Sequence, residues 1–274
     1  MIDHPLLCIG LLALLFAAAP VNGAEQAEPP GIAVTDQSNR IEFRLPAPYW
    51  DHEDRQDLAE RISGGCMGRQ LPPGLLHVAT HQDAGAFIQL NEGSRRFLMR
   101  NREDLETFVS GTVQAVTDQI SKSGEVLSTE WQEREGMIIH RFSFKAAVGG
   151  GGGCMVPGGG GGGQQRTMRW LFVDFFLRPE GEDAVNYQMR CMAPDEAFEP
   201  LRPEINFIVS SFHYTGTPAE EFFVPDAPVD KVPTAEEAAE SVKGDGGLPT
   251  WLMLGGLFIV IWMLLRRKKE KASA

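Results

Sequence analysis

Residues that commonly carry chemistry are few and scattered in this 274-residue chain. His77 and His81 are four residues apart, a zinc-binding spacing only if both lie on one helix. The sequence around them alternates as a strand does, which puts the two imidazoles on one face but about 13 Å apart, too far for one metal ion. We therefore expect no metal at these histidines.

His140 and Asp174 each lie in an apolar run. His140 is flanked by Ile138 and Phe142, a pattern typical of a core histidine with satisfied hydrogen bonds. Asp174 lies among aromatic residues with no second acid beside it, which favours a buried acid with a local donor over a catalytic one. We predict no enzyme activity, no cofactor and no catalytic residue. Triads are assembled in space, so an enzyme of unrecognised type stays open as an alternative.

Three cysteines follow the N-terminal apolar run, and each precedes a methionine: Cys66, Cys154 and Cys191. Thiolate and thioether are soft ligands that suit Cu(I). Neighbouring strand residues face opposite ways, however, so each pair offers only one inward ligand. In an oxidising compartment an odd cysteine count allows one disulfide or none. The possible bridge joins Cys66 to Cys191, with Cys191 facing the core.

Four arginines concentrate positive charge on an otherwise acidic segment: Arg95, Arg96, Arg100 and Arg102. They flank the N-terminal end of a predicted long helix, where the helix dipole also favours anions. This pattern predicts a dock for an anion or an acidic partner. The alternative is a solvated face.

The two ends of the chain predict export and tethering. Residues 6–19 are apolar and too few to span a bilayer, as in a secretory signal peptide, which we place at 1–23. Residues 248–265 contain no charge and span about 27 Å as a helix, enough for one membrane crossing. The basic tail 266–274 predicts a cytoplasmic C-terminus.

The protein is thus expected to be a single-pass membrane protein with its main domain in the periplasm or at the cell exterior. Gly246-Gly247 before the apolar span leaves open a helix that a sorting protease removes. A permanent anchor is favoured, because Trp251 and Trp262 lie near the two ends of the span.

The segment between these ends is acidic, since the formal net charge is −12 although the tail is basic. Such a domain repels nucleic acid, which excludes DNA or RNA as the main partner. Composition divides it into a flexible leader (24–38), a domain (39–215) with a Gly-rich insertion (149–163), and an acidic Pro/Ala-rich stalk (216–247).

Periodicity within the domain predicts an α+β fold, an antiparallel sheet covered by two main helices. Ile41, Phe43 and Leu45 alternate as a strand does, residues 51–62 have weak helical spacing, and 105–120 carry an apolar stripe at helical spacing. Residues 167–178 are apolar on both faces, which predicts a central strand. A closing helix is expected at about 194–212.

This order of elements resembles the PsbP-like group, which comprises extrinsic proteins of the photosynthetic oxygen-evolving complex and related bacterial DcrB-like exported proteins. The opening strand (IEFRLPAPYW), the long helix feeding a hairpin and the closing helix (EINFIVSSFHY) carry the resemblance. The resemblance implies the fold and a non-enzymatic, accessory role. It identifies no functional residue in this sequence. We predict a membrane-tethered interaction or assembly module with a protein partner. The alternative is an exported protein that binds a small ligand or a metal.

Overall fold

The structure, a computed structural model, describes residues 31–58, 74–93, 95–120, 124–148, 166–237 and 239. The predicted signal peptide, Gly-rich insertion, transmembrane helix, basic tail and Cys66 lie outside these residues. Among the residues described, no helix is long and apolar enough to cross a membrane.

Two antiparallel sheets account for the strands of the described residues. The smaller sheet has the order β1–β2–β10, and the larger has the order β3–β4–β5–β9–β8–β7–β6. The strands of the smaller sheet are β1 (Gly31–Asp36), β2 (Ile41–Pro46) and β10 (His213–Tyr214). Those of the larger sheet are β3 (Trp50–Asp54), β4 (Leu75–His81), β5 (Phe87–Glu92), β6 (Gly124–Arg134), β7 (Met137–Val148), β8 (Arg166–Leu177) and β9 (Val185–Pro194).

Two main helices pack on this framework, α1 (Arg102–Ile120) and α2 (Asp195–Ser211), and a short 3₁₀ helix covers Val229–Lys231. Asn101 caps α1, because its side-chain oxygen accepts a hydrogen bond from the Asp104 N–H at 3.0 Å. The predicted apolar stripe faces the sheet: Leu105 and Val109 pack near Phe176, and Val116 and Ile120 pack near Phe144.

The seven-stranded sheet is the middle layer, and β8 is buried on both faces as predicted. Val173 and Phe175 point into the core that the sheet shares with α2 and the small sheet. Phe172 and Phe176 point to the opposite face, towards α1. The α+β class and the two covering helices are therefore confirmed, with the three-stranded sheet as an addition that periodicity did not predict.

The leader prediction is wrong for residues 31–36, which form β1. This strand pairs with β2 over its whole length, and its Val34 is buried in the core. One inward apolar side chain in a six-residue strand suffices when β2 supplies the backbone partners. The domain consequently begins at residue 31 at the latest.

The stalk prediction is wrong for residues 216–237, which run across the body of the domain. The Leu98 N–H donates to the Lys231 carbonyl at 2.9 Å, and Phe222 and Phe223 pack against the core under α1. Composition suggested an extended linker, yet these rings and backbone hydrogen bonds fix the segment in place.

The helix predicted at residues 51–62 starts later than expected. Residues 50–54 form β3, which pairs with β4 in the register Trp50 to His81, and residues 55–58 are helical. Trp50 is 2% exposed, and its burial beside β4 outweighs the weak helical spacing that follows it.

Candidate functional site

The four arginines of the predicted dock lie together at the start of α1, but each faces a carboxylate. Their salt-bridge distances are 2.7 Å for Arg95–Glu237, 2.9 Å for Arg96–Glu92, 2.7 Å for Arg100–Asp104, and 2.9 and 3.2 Å for Arg102 with Glu106 and Glu133. The hydrogen bond from Arg100 lowers the pKa of Asp104. These pairings offset the positive charge that the anion dock required.

Cys191 has no disulfide partner among the described residues, and Cys66 lies outside them, so the bridge between the two stays a prediction. The side chain is 0% exposed in the core beneath α2, and burial raises the pKa of this thiol to about 12. A thiol with so high a pKa is a poor nucleophile and metal ligand at neutral pH. Cys191 is a packing residue.

His77 and His81 have separate partners, although both lie on β4. His77 Nε2 donates to Asp36 Oδ2 at 3.2 Å, which leaves Nδ1 to accept from His52 Nε2 at 3.1 Å. Burial lowers the pKa of both His52 and His77. His81 Nδ1 instead accepts two backbone N–H groups of the following turn.

Asp174 and His140 meet on the α1 face of the sheet. His140 Nδ1 lies 3.4 Å from Asp174 Oδ2, and the other carboxylate oxygen accepts from the Gln188 amide at 2.7 Å. The local donors expected for a buried Asp174 and a satisfied His140 are confirmed. Within the described parts of the chain, no group of three or more His, Cys, Asp or Glu residues is arranged to hold a metal ion.

A groove of about 470 Å³ lies where residues 219–223 cross the tip of the β6–β7 hairpin. We call it the hairpin groove. The hairpin turns sharply because Glu135 and Gly136 both have positive φ, 51° and 73°, as in a type I′ turn. Apolar side chains and glutamates share its lining: Met137, Ile138, Phe222 and Phe223 with Glu133, Glu135, Glu220 and Glu221.

The outer wall of the hairpin groove is held by backbone hydrogen bonds. The Ala219 N–H donates to the Arg178 carbonyl at 2.7 Å, and the Arg178 guanidinium donates back to the Glu221 carbonyl at 2.9 Å. Further along, the Val224 N–H donates to the Met99 carbonyl at 2.8 Å. The wall is thus fixed on both sides of its two phenylalanines.

The electrostatic character of the hairpin groove is acidic. Glu133 is paired with Arg102, but Glu135, Glu220 and Glu221 are exposed and form no salt bridge within the described structure. Arg134 also lines the groove and is the one basic residue among the described residues that do so. Its guanidinium turns inwards and donates to the Ser210 and Phe212 carbonyls at 2.6 and 2.5 Å. An apolar floor therefore lies beneath an acidic rim. Glu135 on this rim interacts electrostatically with Arg134, whereas Glu220 and Glu221 form no salt bridge within the described residues.

Sequence reasoning missed this groove for a definable reason. Glu220 and Glu221 fell in the predicted stalk, and Phe222-Phe223 is the one signal that could have marked that segment as packed, because adjacent aromatic residues are unusual in a solvated linker. The glutamates of the hairpin tip gave no signal, since charged residues are ordinary in turns.

Comparison with known proteins adds a likeness in fold. No protein-family model matches the sequence, and no curated protein matches it. The solution structure of cyanobacterial PsbP (CyanoP) from Synechocystis sp. PCC 6803 is 14% identical, with a TM-score of 0.42 over 72% of this chain and 98% of that chain. The Ran-binding protein Mog1p of Saccharomyces cerevisiae is 11% identical, with a TM-score of 0.37 over 68% of this chain and 96% of that chain.

The solved structures that this chain resembles thus include a PsbP protein, the group that the order of elements suggested. At these identities and TM-scores, the likeness concerns the fold alone.

Proposed function

We propose that this chain is a membrane-tethered extracytoplasmic binding module that holds an extended, positively charged segment of a partner protein in the hairpin groove. The observation that carries the proposal is the pairing of an apolar floor with Glu220 and Glu221, two exposed glutamates that form no salt bridge within the described residues. A lysine or arginine beside an apolar residue is the chemistry that such a surface complements.

The edge strand β6 extends this surface. Arg134 and Met137 close a two-residue turn and therefore form a hydrogen-bonded pair, so Glu133, Trp131 and Thr129 fall in non-hydrogen-bonded pairs with β7. Their backbone N–H and C=O groups point outwards from the sheet. An extended partner segment can add to this edge and place alternate side chains in the hairpin groove.

Peptide binding tests the groove directly. The purified full chain in detergent should bind a fluorescent peptide of alternating lysine and leucine, measured by anisotropy after subtraction of empty micelles. Exposed ion pairs contribute about 0.2–1 kcal/mol each. The double variant Glu220→Gln/Glu221→Gln should therefore weaken binding by between about two- and thirtyfold. Added salt should weaken wild-type binding.

A matched control carries the same charge change elsewhere. Asp51→Asn/Glu236→Gln replaces two exposed acidic side chains outside the groove and away from β6, and it should leave the peptide affinity unchanged within about twofold. Equal weakening in both double variants, or no binding to the wild type, contradicts the proposed groove.

The tether is supported by the apolar span at 248–265 and the basic residues that follow it. Alkaline phosphatase fused after Gly247 should be active, because the enzyme needs an oxidising compartment for its disulfides. The same enzyme fused after Ala274 should be inactive at equal expression. The reverse pattern of activity contradicts the proposed orientation.

A further inference from the structure

We propose that Thr129, His140 and Asp174 form a nucleophile–base–acid triad that accepts an acyl group from an activated ester and passes it to water. Three neighbouring strands supply the residues: β6, β7 and β8. The triad uses none of the residues that line the hairpin groove, but it shares the β6 edge at Thr129 with the proposed peptide surface, so a bound peptide would compete with the substrate.

The hydrogen-bond geometry has the order that general-base catalysis needs. Thr129 Oγ1 lies 2.9 Å from His140 Nε2, and His140 Nδ1 lies 3.4 Å from Asp174 Oδ2. A carboxylate only accepts, so Nδ1 carries the proton and Nε2 has a free lone pair. That lone pair faces the Thr129 hydroxyl and can take its proton.

Asp174 is itself held in position. Its Oδ1 accepts from the Gln188 amide at 2.7 Å and from the Asn186 amide at 3.3 Å. Both donors are neutral, so they orient the carboxylate without cancelling its charge. Asp174 is therefore a positioning residue, which fixes the tautomer of His140 and stabilises its protonated form.

Access to the triad is one-sided. His140 is only 1% exposed and Trp131 packs over it with ring centroids 4.6 Å apart, whereas Thr129 is exposed on the edge strand. Substrate and water therefore approach His140 Nε2 only from the side of the Thr129 hydroxyl. The outward-pointing N–H group of Thr129 lies beside its own hydroxyl and is a candidate donor to an oxyanion.

The reaction balances without a further reagent. The Thr129 oxygen forms a bond to the acyl carbon while His140 takes the hydroxyl proton. The ester C–O bond then breaks, and His140 returns the proton to the leaving alcohol. Water, deprotonated by His140, attacks the acyl-threonine ester. The bond between the acyl carbon and the Thr129 oxygen breaks, His140 returns the proton to that oxygen, and the carboxylic acid is released. The substrate class is a small activated ester that can lie along an open strand edge.

A fluorophosphonate probe tests the nucleophile in the full chain in detergent. The expected result is a phosphonyl group on Thr129, formed as fluoride leaves and located by peptide mass spectrometry. Ser128 is the internal control, an exposed hydroxyl on the same strand whose partner is the Ser143 hydroxyl at 2.7 Å and not an imidazole. We expect labelling of Thr129 to be at least about a hundredfold faster than that of Ser128, the low end of the contribution of a positioned base.

Variants separate the triad from a structural network. Thr129→Ser should keep both labelling and the hydrolysis of p-nitrophenyl acetate, and Thr129→Val, at the same exposed site, should lose both. Asp174→Asn should slow labelling at least about tenfold, because it removes the charge that orients His140. Measurement of the thermal midpoint checks that each variant is folded. Labelling of Thr129 no faster than that of Ser128, or unchanged hydrolysis in folded Thr129→Val, overturns the proposal.

Discussion

Replacing Phe212 with alanine should lower the free energy of unfolding by about 3–5 kcal/mol, the cost of removing a large buried ring and leaving a cavity. Phe212 is 0% exposed and ends α2. Its ring stacks on Phe175 with centroids 4.0 Å apart and lies 6.0 Å from the ring of Tyr187. The cavity would open between α2 and the seven-stranded sheet, where the surrounding rings leave little room to collapse.

Urea unfolding followed by tryptophan fluorescence measures this loss. Phe222→Ala makes the same chemical change at a half-buried position in the hairpin groove and should cost clearly less. Phe212→Leu should fall between wild type and Phe212→Ala, because leucine refills part of the volume. A cost below about 1 kcal/mol for Phe212→Ala contradicts the packing described for this corner.

The parts of the fold that the sequence predicted are those that bury continuous or strictly periodic apolar residues. Residues 167–178 could be recognised as a central strand because Phe172 and Phe175 lie on opposite faces of one short run. The helix stripe of α1 was equally readable, since Leu105 and Val109 repeat at helical spacing. Such patterns indicate which face of the segment is buried, and the spacing of the buried residues distinguishes a helix from a strand.

The two flanking segments could not be predicted in this way because composition is an average over many residues. Residues 31–36 owe their order to pairing with β2 and to the single inward side chain of Val34. Residues 216–237 owe theirs to Phe222-Phe223 and to backbone hydrogen bonds with distant residues. Neither source of order is visible as periodicity in an acidic, proline-containing stretch.

The candidate sites depend even more on contacts between residues remote in the sequence. The four arginines were correctly seen as a cluster, yet Glu237 lies 142 residues from Arg95. The groove glutamates come from two such separate segments. Thr129 and His140 are likewise joined only by the register of β6 against β7, where the bulge near Val126 sets which side chains share a face. These pairings between remote residues cannot be predicted from one sequence alone.

The arginine pairs and the hairpin groove together change the sign of the charge that we expect on the partner. The sequence pointed to an acidic partner because positive charge is conspicuous on an acidic domain. In the structure the positive charges are paired, and unpaired charge remains on the glutamates of the groove. Net charge describes the whole surface, whereas recognition depends on the charges that lack an internal partner.

Asp36 should make the stability of the protein depend on pH in acid. Burial raises the pKa of its carboxyl, but hydrogen bonds from Ser38 and Asn39 and the charge of His77 outweigh that effect and lower the pKa to about 2 from the usual 3.8. A lowered pKa of this size corresponds to about 2 kcal/mol of stability. Because the folded-state pKa is the lower one, this stability is present above about pH 4 and is lost as the pH falls towards 2.

Asp36→Asn should therefore cost about 2 kcal/mol at pH 7 and progressively less below pH 4, until the variant and the wild type unfold alike near pH 2. Urea unfolding at a series of pH values measures the difference between the two proteins, which removes the contribution of every other titrating group. Asp51→Asn is the matched control, since Asp51 is exposed and accepts one hydrogen bond from Gln82. Its cost should stay within about 0.5 kcal/mol at every pH. A difference for Asp36→Asn that does not shrink below pH 4 would mean that the aspartate stabilises the β1–β2 turn through shape and not through charge.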